Sequence, residues 1–249
     1  MITLSLCAIA HIKNDYKEKF GIPRQSGLVE EVTSRIVFDE AYRNKDAVRG
    51  LREFSHLWLI WVFSEGFSSQ KKEPDSAKDP AFSASEDTTL KTSANWSPTV
   101  RPPRLGGNER LGVWATRSPN RPNPIGLSCV EIVSVEEDTP EGPVITVRGA
   151  DLLDGTPILD IKPYIAYADA RPDARCSYAQ AAPNTQRLTV TGIENLPADM
   201  EKEAVIAVLS GDPRPSYQDD PERIYGMRFG AYDIRFRIED DVLTILEAR

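Results

Sequence analysis

The sequence predicts a mainly β chain, a closed or nearly closed barrel followed by a small α+β domain. Three observations carry this. Short apolar runs of strand length recur through residues 1–169. Gly and Pro punctuate them, as in barrels built from many short strands. Helical periodicity, followed by a hairpin pattern, belongs to residues 170–249.

Taken in order, Ile2, Leu4 and Leu6 alternate with Thr3, Ser5 and Cys7 and read as an opening strand. A secretory leader is disfavoured there, because no Lys or Arg precedes Lys13 and the apolar stretch is short. Lys45 to Glu53 reads as a short helix or turn. Phe54 to Phe63 (FSHLWLIWVF) is nearly all apolar and rich in β-favouring residues, which predicts a buried strand from about His56. Leu127 to Val135, Val144 to Arg148 and Ile158 to Tyr164 read as three more strands. Beyond residue 169, Met200, Ala204, Val205, Val208 and Leu209 share one face of a helix within Ala198–Leu209. Two β-like runs follow, Tyr225–Ile238 and Val242–Glu247, paired through Glu239-Asp240-Asp241. No internal repeat is present. No Gly-rich turn links a strand to a helix, which excludes a dinucleotide-binding Rossmann unit.

Composition narrows the class further. The chain has 249 residues, 40% of them hydrophobic, enough for a real core and against a disordered or collagen-like chain. Cys7, Cys129 and Cys176 are far apart with no CxxC, and His11 and His56 are the only histidines. Neither a zinc site nor a disulfide framework is encoded, and a reducing cytoplasm is the expected home. No apolar run reaches the ~18–20 residues of a spanning helix. Residues 65–95 are rich in Ser, Lys, Asp and Glu and read as a solvated insertion. Its four Lys are outnumbered by six acids, so an inert surface loop is favoured over an RNA tether.

The densest chemical signal is Thr99–Gly126, TVRPPRLGGNERLGVWATRSPNRPNPIG. It sets Arg101, Arg104, Arg110, Arg117 and Arg121 against the single acid Glu109, in a chain of net charge −8. Arg suits bidentate phosphate contact and stacking on bases; the competing reading is a structural loop whose Arg residues pair with surface acids. The second signal is Asp151-Leu152-Leu153-Asp154-Gly155-Thr156-Pro157, followed by Asp160. Its carboxylates suit ribose hydroxyls, a cation or proton abstraction, while Asp-Gly between strands is also an ordinary turn. Metal binding is the weaker option with two histidines in the chain. Pro23-Arg24-Gln25 lies in a loop after the first strand, and His56 reads by default as a hydrogen-bonded core histidine. No HExxH, GxSxG or phosphate-binding Gly-rich loop is present, which leaves hydrolase, metalloprotease and NTPase readings unsupported.

Several long motifs in order resemble the TsaA-like β-barrel family, and within it the bacterial tRNA methyltransferases acting on N6 of N6-threonylcarbamoyladenosine at position 37. They are YKEKFGIPRQSGLV, DAVRGLREFSHLW, the Thr99–Gly126 segment, DLLDGTPILDIKPY and DPRPSY. The resemblance implies a homodimeric barrel, residues 1–169, using S-adenosylmethionine outside the usual Rossmann-type fold, with a C-terminal domain at 170–249. It implies a cofactor site of Pro23, Arg24, Gln25, His56, Leu57, Arg117, Leu127, Asp151, Leu152, Leu153 and Asp154. Asp212-Pro213-Arg214-Pro215-Ser216-Tyr217 matches a family signature and is expected to contribute to tRNA binding or the catalytic pocket. The acceptor N6, flanked by purine and carbamoyl, is poorly nucleophilic, so a proton acceptor should assist; Asp151, Asp160, His56 and Tyr217 are candidates. Arg101, Arg104, Arg110, Arg121 and Arg214 are the candidate RNA contacts, the partner being the anticodon loop carrying the modified base. Neither a metal nor a membrane is expected. The alternatives are a barrel that binds RNA or S-adenosylmethionine without chemistry, or a methyltransferase with another acceptor.

Overall fold

The computed structural model describes residues 4–63, 96–102, 105, 109–181, 188–214 and 220–249. The 65–95 insertion, Arg104 and Tyr217 therefore lie outside the described residues. Six strands close into a barrel: β1 (Ala10–Lys13), β2 (Thr33–Phe38), β3 (His56–Val62), β6 (Ile125–Glu136), β7 (Val144–Arg148) and β8 (Pro157–Pro163). The order around the wall is β1-β2-β7-β6-β3-β8, with every neighbour antiparallel. Closure leaves no unpaired edge.

The wall follows from period-2 patterning. In β3, Leu57, Leu59 and Trp61 face the barrel interior and are buried, while Trp58 and Ile60 lie half-buried on the outside. In β6, Ser128 and Val130 face in and Leu127 faces out. The predicted strands of the barrel appear within a residue or two of their expected ends, and Lys45–Glu53 holds two short 3-10 turns, Lys45–Val48 and Leu51–Glu53. The opening strand is a correction. It starts at Ala10, and residues 4–9 have no strand structure, with Leu4 and Leu6 exposed. Alternation supplies a face but not a partner: past Phe38, opposite Ala10, the chain bends into the 3-10 turn Glu40–Tyr42. β2, whose TSRIVF run alternates cleanly, went unread.

Between β3 and β6, β4 (Thr99–Val100) pairs with β5 (Leu111–Gly112) as a small separate ribbon. A helical turn, α1 (Ala166–Asp169), follows the barrel. The C-terminal sheet has the order β10 (Ile224–Phe229), β11 (Tyr232–Glu239), β12 (Val242–Ala248), β9 (Thr189–Thr191), with β9 parallel to β12. The expected run Tyr225–Ile238 is two strands, folded back at Gly230-Ala231. The predicted helix is α2 (Lys202–Ser210), and its Ala204, Val205, Val208 and Leu209 are buried against this sheet.

The two sheets do not have separate supports. The connection between β1 and β2 leaves the barrel and puts Tyr16, Val29 and Val32 into the C-terminal core, with Phe20 and Ile22 packed against it. Tyr16 bridges to Phe229 and meets its ring edge-on at 5.9 Å. Phe20 stacks on Phe236 at 6.4 Å, and Phe236 also stacks on Tyr225 at 5.8 Å.

Phe236 is fully buried where the connection meets the sheet. Phe236→Ala should cost about 3–5 kcal/mol by cavity formation, read as a lower urea midpoint. An unchanged midpoint would show that the connection is not packed as described.

Candidate active site

The turn after β7 is held from two sides. On one side, Gly149 takes φ +77°, and a Cβ there would lie 3.2 Å from the Gly27 backbone. The Gly27 N–H donates to the Gly149 carbonyl at 2.8 Å. This close approach lays the Pro23-Arg24-Gln25 loop against Asp151. On the other side, Asn14 acts as a clamp. Its N–H donates to Asp154 Oδ1 at 3.0 Å, and its Nδ2 donates to the Leu152 carbonyl at 3.0 Å and to Ser34 Oγ at 3.2 Å. Its Oδ1 accepts from the Tyr16 N–H at 3.1 Å. The backbone joins in: Asp154 N–H donates to the Tyr16 carbonyl at 2.9 Å, and Gly155 N–H to the Ile12 carbonyl at 2.8 Å. Lys17 Nζ sits 2.8 Å from Asp154 Oδ2, so both carboxylate oxygens of Asp154 are engaged within the protein.

Asp151 has a different environment. Ser128 Oγ donates to its Oδ1 at 2.5 Å and accepts from Trp61 Nε1 at 3.0 Å. Trp61 is fixed in turn over Gly126, where any Cβ would fall 2.2 Å from the indole. Burial pushes the Asp151 carboxyl above its usual 3.8; hydrogen bonds from Ser128 and backbone N–H groups, and the charge of Arg117, pull it back only in part. Arg117 Nη1 donates to Gln25 Oε1 at 2.7 Å. Three separated motifs, PRQ, ATRS and DLLD, thus meet at one place. In the C-terminal core the buried Tyr16 hydroxyl has no hydrogen-bond partner among the described residues, and burial first, then the charges of Asp151, Glu31 and Asp15, hold its proton on.

Other expected site residues are placed less centrally. Pro23 and Leu153 are half-buried and Arg24 is exposed. Leu57 and Leu152 are buried in the barrel core, so only their main chain can meet a ligand. Leu127 is exposed on the outer wall. His56 is exposed at the start of β3, its Nδ1 2.9 Å from Ser55 Oγ and its ring tilted towards Tyr164, so it is no core histidine. On the β3–β6 ladder it stands three residues from Leu59, the partner of Ser128, roughly 10 Å along the strand. Asp160 is paired with Lys162 at 2.9 Å.

The Arg residues divide. Arg101 and Arg110 are exposed, and Arg110 Nε donates to Thr99 Oγ1 at 2.9 Å. Arg121 is half-buried and donates to the Ser118, Val113 and Thr116 carbonyls, so it builds the loop. Arg214 has an 11% exposed side chain whose guanidinium grips Asp212, 2.9 Å at both Nε and Nη2. Among the described residues no cluster of three or more His, Cys, Asp or Glu is placed to hold a metal ion, and no helix is long and apolar enough to cross a membrane.

Asn14, Ser128 and Trp61 were not picked out from the sequence. Ser128 left a trace, as a polar residue at an inward position of an alternating strand. Asn14 left none, since the two partners that make it a clamp lie 138 and 140 residues away.

Comparison with known proteins bears on the chain as a whole. The family model described as the tRNA-methyltransferase O N-terminal domain matches residues 11–170, and the TrmO C-terminal domain model matches residues 178–249. An Escherichia coli (strain K12) protein named tRNA (adenine(37)-N6)-methyltransferase is 38% identical over 242 residues, covering 93% of this chain and 92% of its own length. A protein of the same name from Eikenella corrodens is 44% identical over 196 residues, covering 77% of this chain and 95% of its own. The crystal structure of TrmO from Pseudomonas aeruginosa superposes with a TM-score of 0.72 at 28% identity, covering 100% of this chain and 99% of that one. With a barrel, a C-terminal sheet and both family domains in sequence, the chain belongs to the tRNA-methyltransferase O family.

Proposed function

We propose that the chain is a methyltransferase that moves a methyl group from S-adenosylmethionine to N6 of threonylcarbamoyladenosine at position 37 of tRNA. The observation that carries this reading is the junction of Gln25, Arg117 and Asp151, where an amide, a cation and a desolvated carboxylate meet at one end of the barrel. Relatives named tRNA (adenine(37)-N6)-methyltransferase support the acceptor. The residues fit the donor. A carboxylate pushed up by burial gains from a cationic or hydroxyl-bearing neighbour, and Arg117 suits a carboxylate. Bound there, S-adenosylmethionine would supply an electrophilic methyl carbon on a positive sulfur, chemistry that belongs to the cofactor.

The chain's own work is alignment and proton transfer. As N6 takes the methyl carbon it must lose its proton, and Asp151 is the acceptor we assign. Burial makes it a stronger base than an ordinary carboxylate, and Ser128 fixes its direction. Asp160, tied to Lys162, is less suited. Asp154, satisfied by Asn14 and Lys17, supports the turn. We assign cofactor and base chemistry to residues 1–169 and tRNA contacts in part to residues 170–249, with the working place in the cytoplasm. A homodimer accounts for the outer wall, where exposed Leu127 and Val133 lie on the strand beside half-buried Trp58 and Ile60. We keep His56, exposed at the start of β3, in the proposed cofactor site.

The direct test uses labelled S-adenosylmethionine and two tRNA preparations, one with threonylcarbamoyladenosine at position 37 and one with adenosine. Label in the first alone is expected. No label in either, with cofactor binding intact by calorimetry, would leave a binding module or another acceptor.

Arg117→Ala should weaken cofactor binding about ten- to a hundredfold, the usual cost of a lost charged hydrogen bond. Unchanged affinity in calorimetry would remove Arg117 from the site.

Asp151 gives a pH signature. The fold keeps its proton to higher pH than the unfolded chain does, so stability declines as pH rises from 3.8 through the raised folded value. Asp151→Asn should abolish that decline in urea midpoints while cutting methyl transfer at least about a hundredfold. If the decline persists in the variant, another group is its source.

A further inference from the structure

We infer that Trp114 is a stacking platform for an unpaired base of the tRNA anticodon loop, a reading that rests on the proposed tRNA substrate. Trp114 is 67% exposed, an unusual position for the largest apolar side chain. It does not stand there as a loose side chain. The ribbon β4–β5 pairs Thr99 with Gly112 and Val100 with Leu111, which brings the residues before Thr99 beside those after Gly112. Trp96 and Trp114 consequently stack, ring centroids 5.7 Å apart at 28°. The 3-10 turn Val113–Ala115 carries Trp114, with Val113 fully buried beneath it and its N–H bonded to the Pro98 carbonyl at 2.9 Å. Arg121 closes the loop through three carbonyls and lays its guanidinium 5.9 Å from the Trp114 ring centroid.

The result is a rigid aromatic surface with its ordering cost already met by folding, on a segment that also carries the exposed Arg101 and Arg110. That combination is what unpaired nucleotides need: a face for the base and cations for the phosphates. Charge decides between RNA and a second copy of the chain. A two-fold contact centred on this patch would set one Arg-rich loop against another, whereas a polyanion is attracted to it. Stacking also serves the reaction class, because the modified base must leave its neighbours to present N6.

The test measures affinity for an anticodon stem-loop RNA bearing threonylcarbamoyladenosine, across a salt series, with a blunt RNA duplex as control. Trp114→Ala should weaken stem-loop binding about five- to a hundredfold, with Trp114→Phe retaining most of it. The slope of log Kd against log salt should stay unchanged in Trp114→Ala, whereas Arg110→Ala should lower it by roughly 0.7. Duplex binding, cofactor affinity and subunit mass should be those of the wild type. Stem-loop affinity equal to wild type in Trp114→Ala overturns the platform, and so does an altered subunit mass or cofactor affinity, which would place Trp114 between copies or in the cofactor site. A wild-type chain that binds the cofactor but neither binds nor methylates the stem-loop overturns the tRNA reading itself, and the platform with it.

Discussion

The exchange of hydrogen bonds between the β1–β2 connection and the turn after β7 is the constraint on which the molecule depends. Asn14 alone makes two of these bonds, to Asp154 and to the Leu152 carbonyl, and the Tyr16 and Ile12 carbonyls accept two more. Ser34, Ser128 and Thr156 are the fully buried polar side chains among the described residues. All three are spent on this region: Ser34 accepts from Asn14, Ser128 directs Asp151, and Thr156 donates to the Leu153 carbonyl. A buried polar group is costly unless paired. Here the pairing also fixes where a carboxylate points.

The same connection explains why the barrel and the second sheet act as one support. Tyr16, Val29 and Val32 lie under β10–β12, while Pro23-Arg24-Gln25, between them in sequence, faces the Asp151 turn. Packing on one side is thereby converted into positioning on the other. The desolvation that raises the Asp151 carboxyl depends on that enclosure, and Trp61 seated over Gly126 supplies the opposite wall.

Much of the fold was legible because period-2 patterning and burial are local. FSHLWLIWVF, Leu127–Val135 and Val144–Arg148 could be placed without knowing their partners. The Met200–Leu209 face was equally readable at helical spacing. The opening strand was misplaced because a ladder needs partners, and those are not local. The candidate site was legible as motifs more than as geometry. Arg121 and Arg214 look like phosphate ligands in composition, yet their donors are committed to carbonyls and to Asp212. Asp154 reads as part of a binding motif, and both its carboxylate oxygens are already engaged inside the fold. What a guanidinium or carboxylate is free to do depends on neighbours far away in sequence.

The clasp between Glu18 and Arg228 has a consequence for how the protein is made. The Arg228 N–H reaches Glu18 Oε1 across 210 residues, and the Gly230 N–H reaches the Asp15 carbonyl nearby. During synthesis the barrel strands leave the ribosome well before β10–β12 exist. Until then Tyr16 and Phe20 have no core to enter, and the loop bearing Gln25 has no floor. Contacts so distant in sequence close late. The nascent barrel can thus form its wall while its Gln25 loop stays unset until the last strands are free.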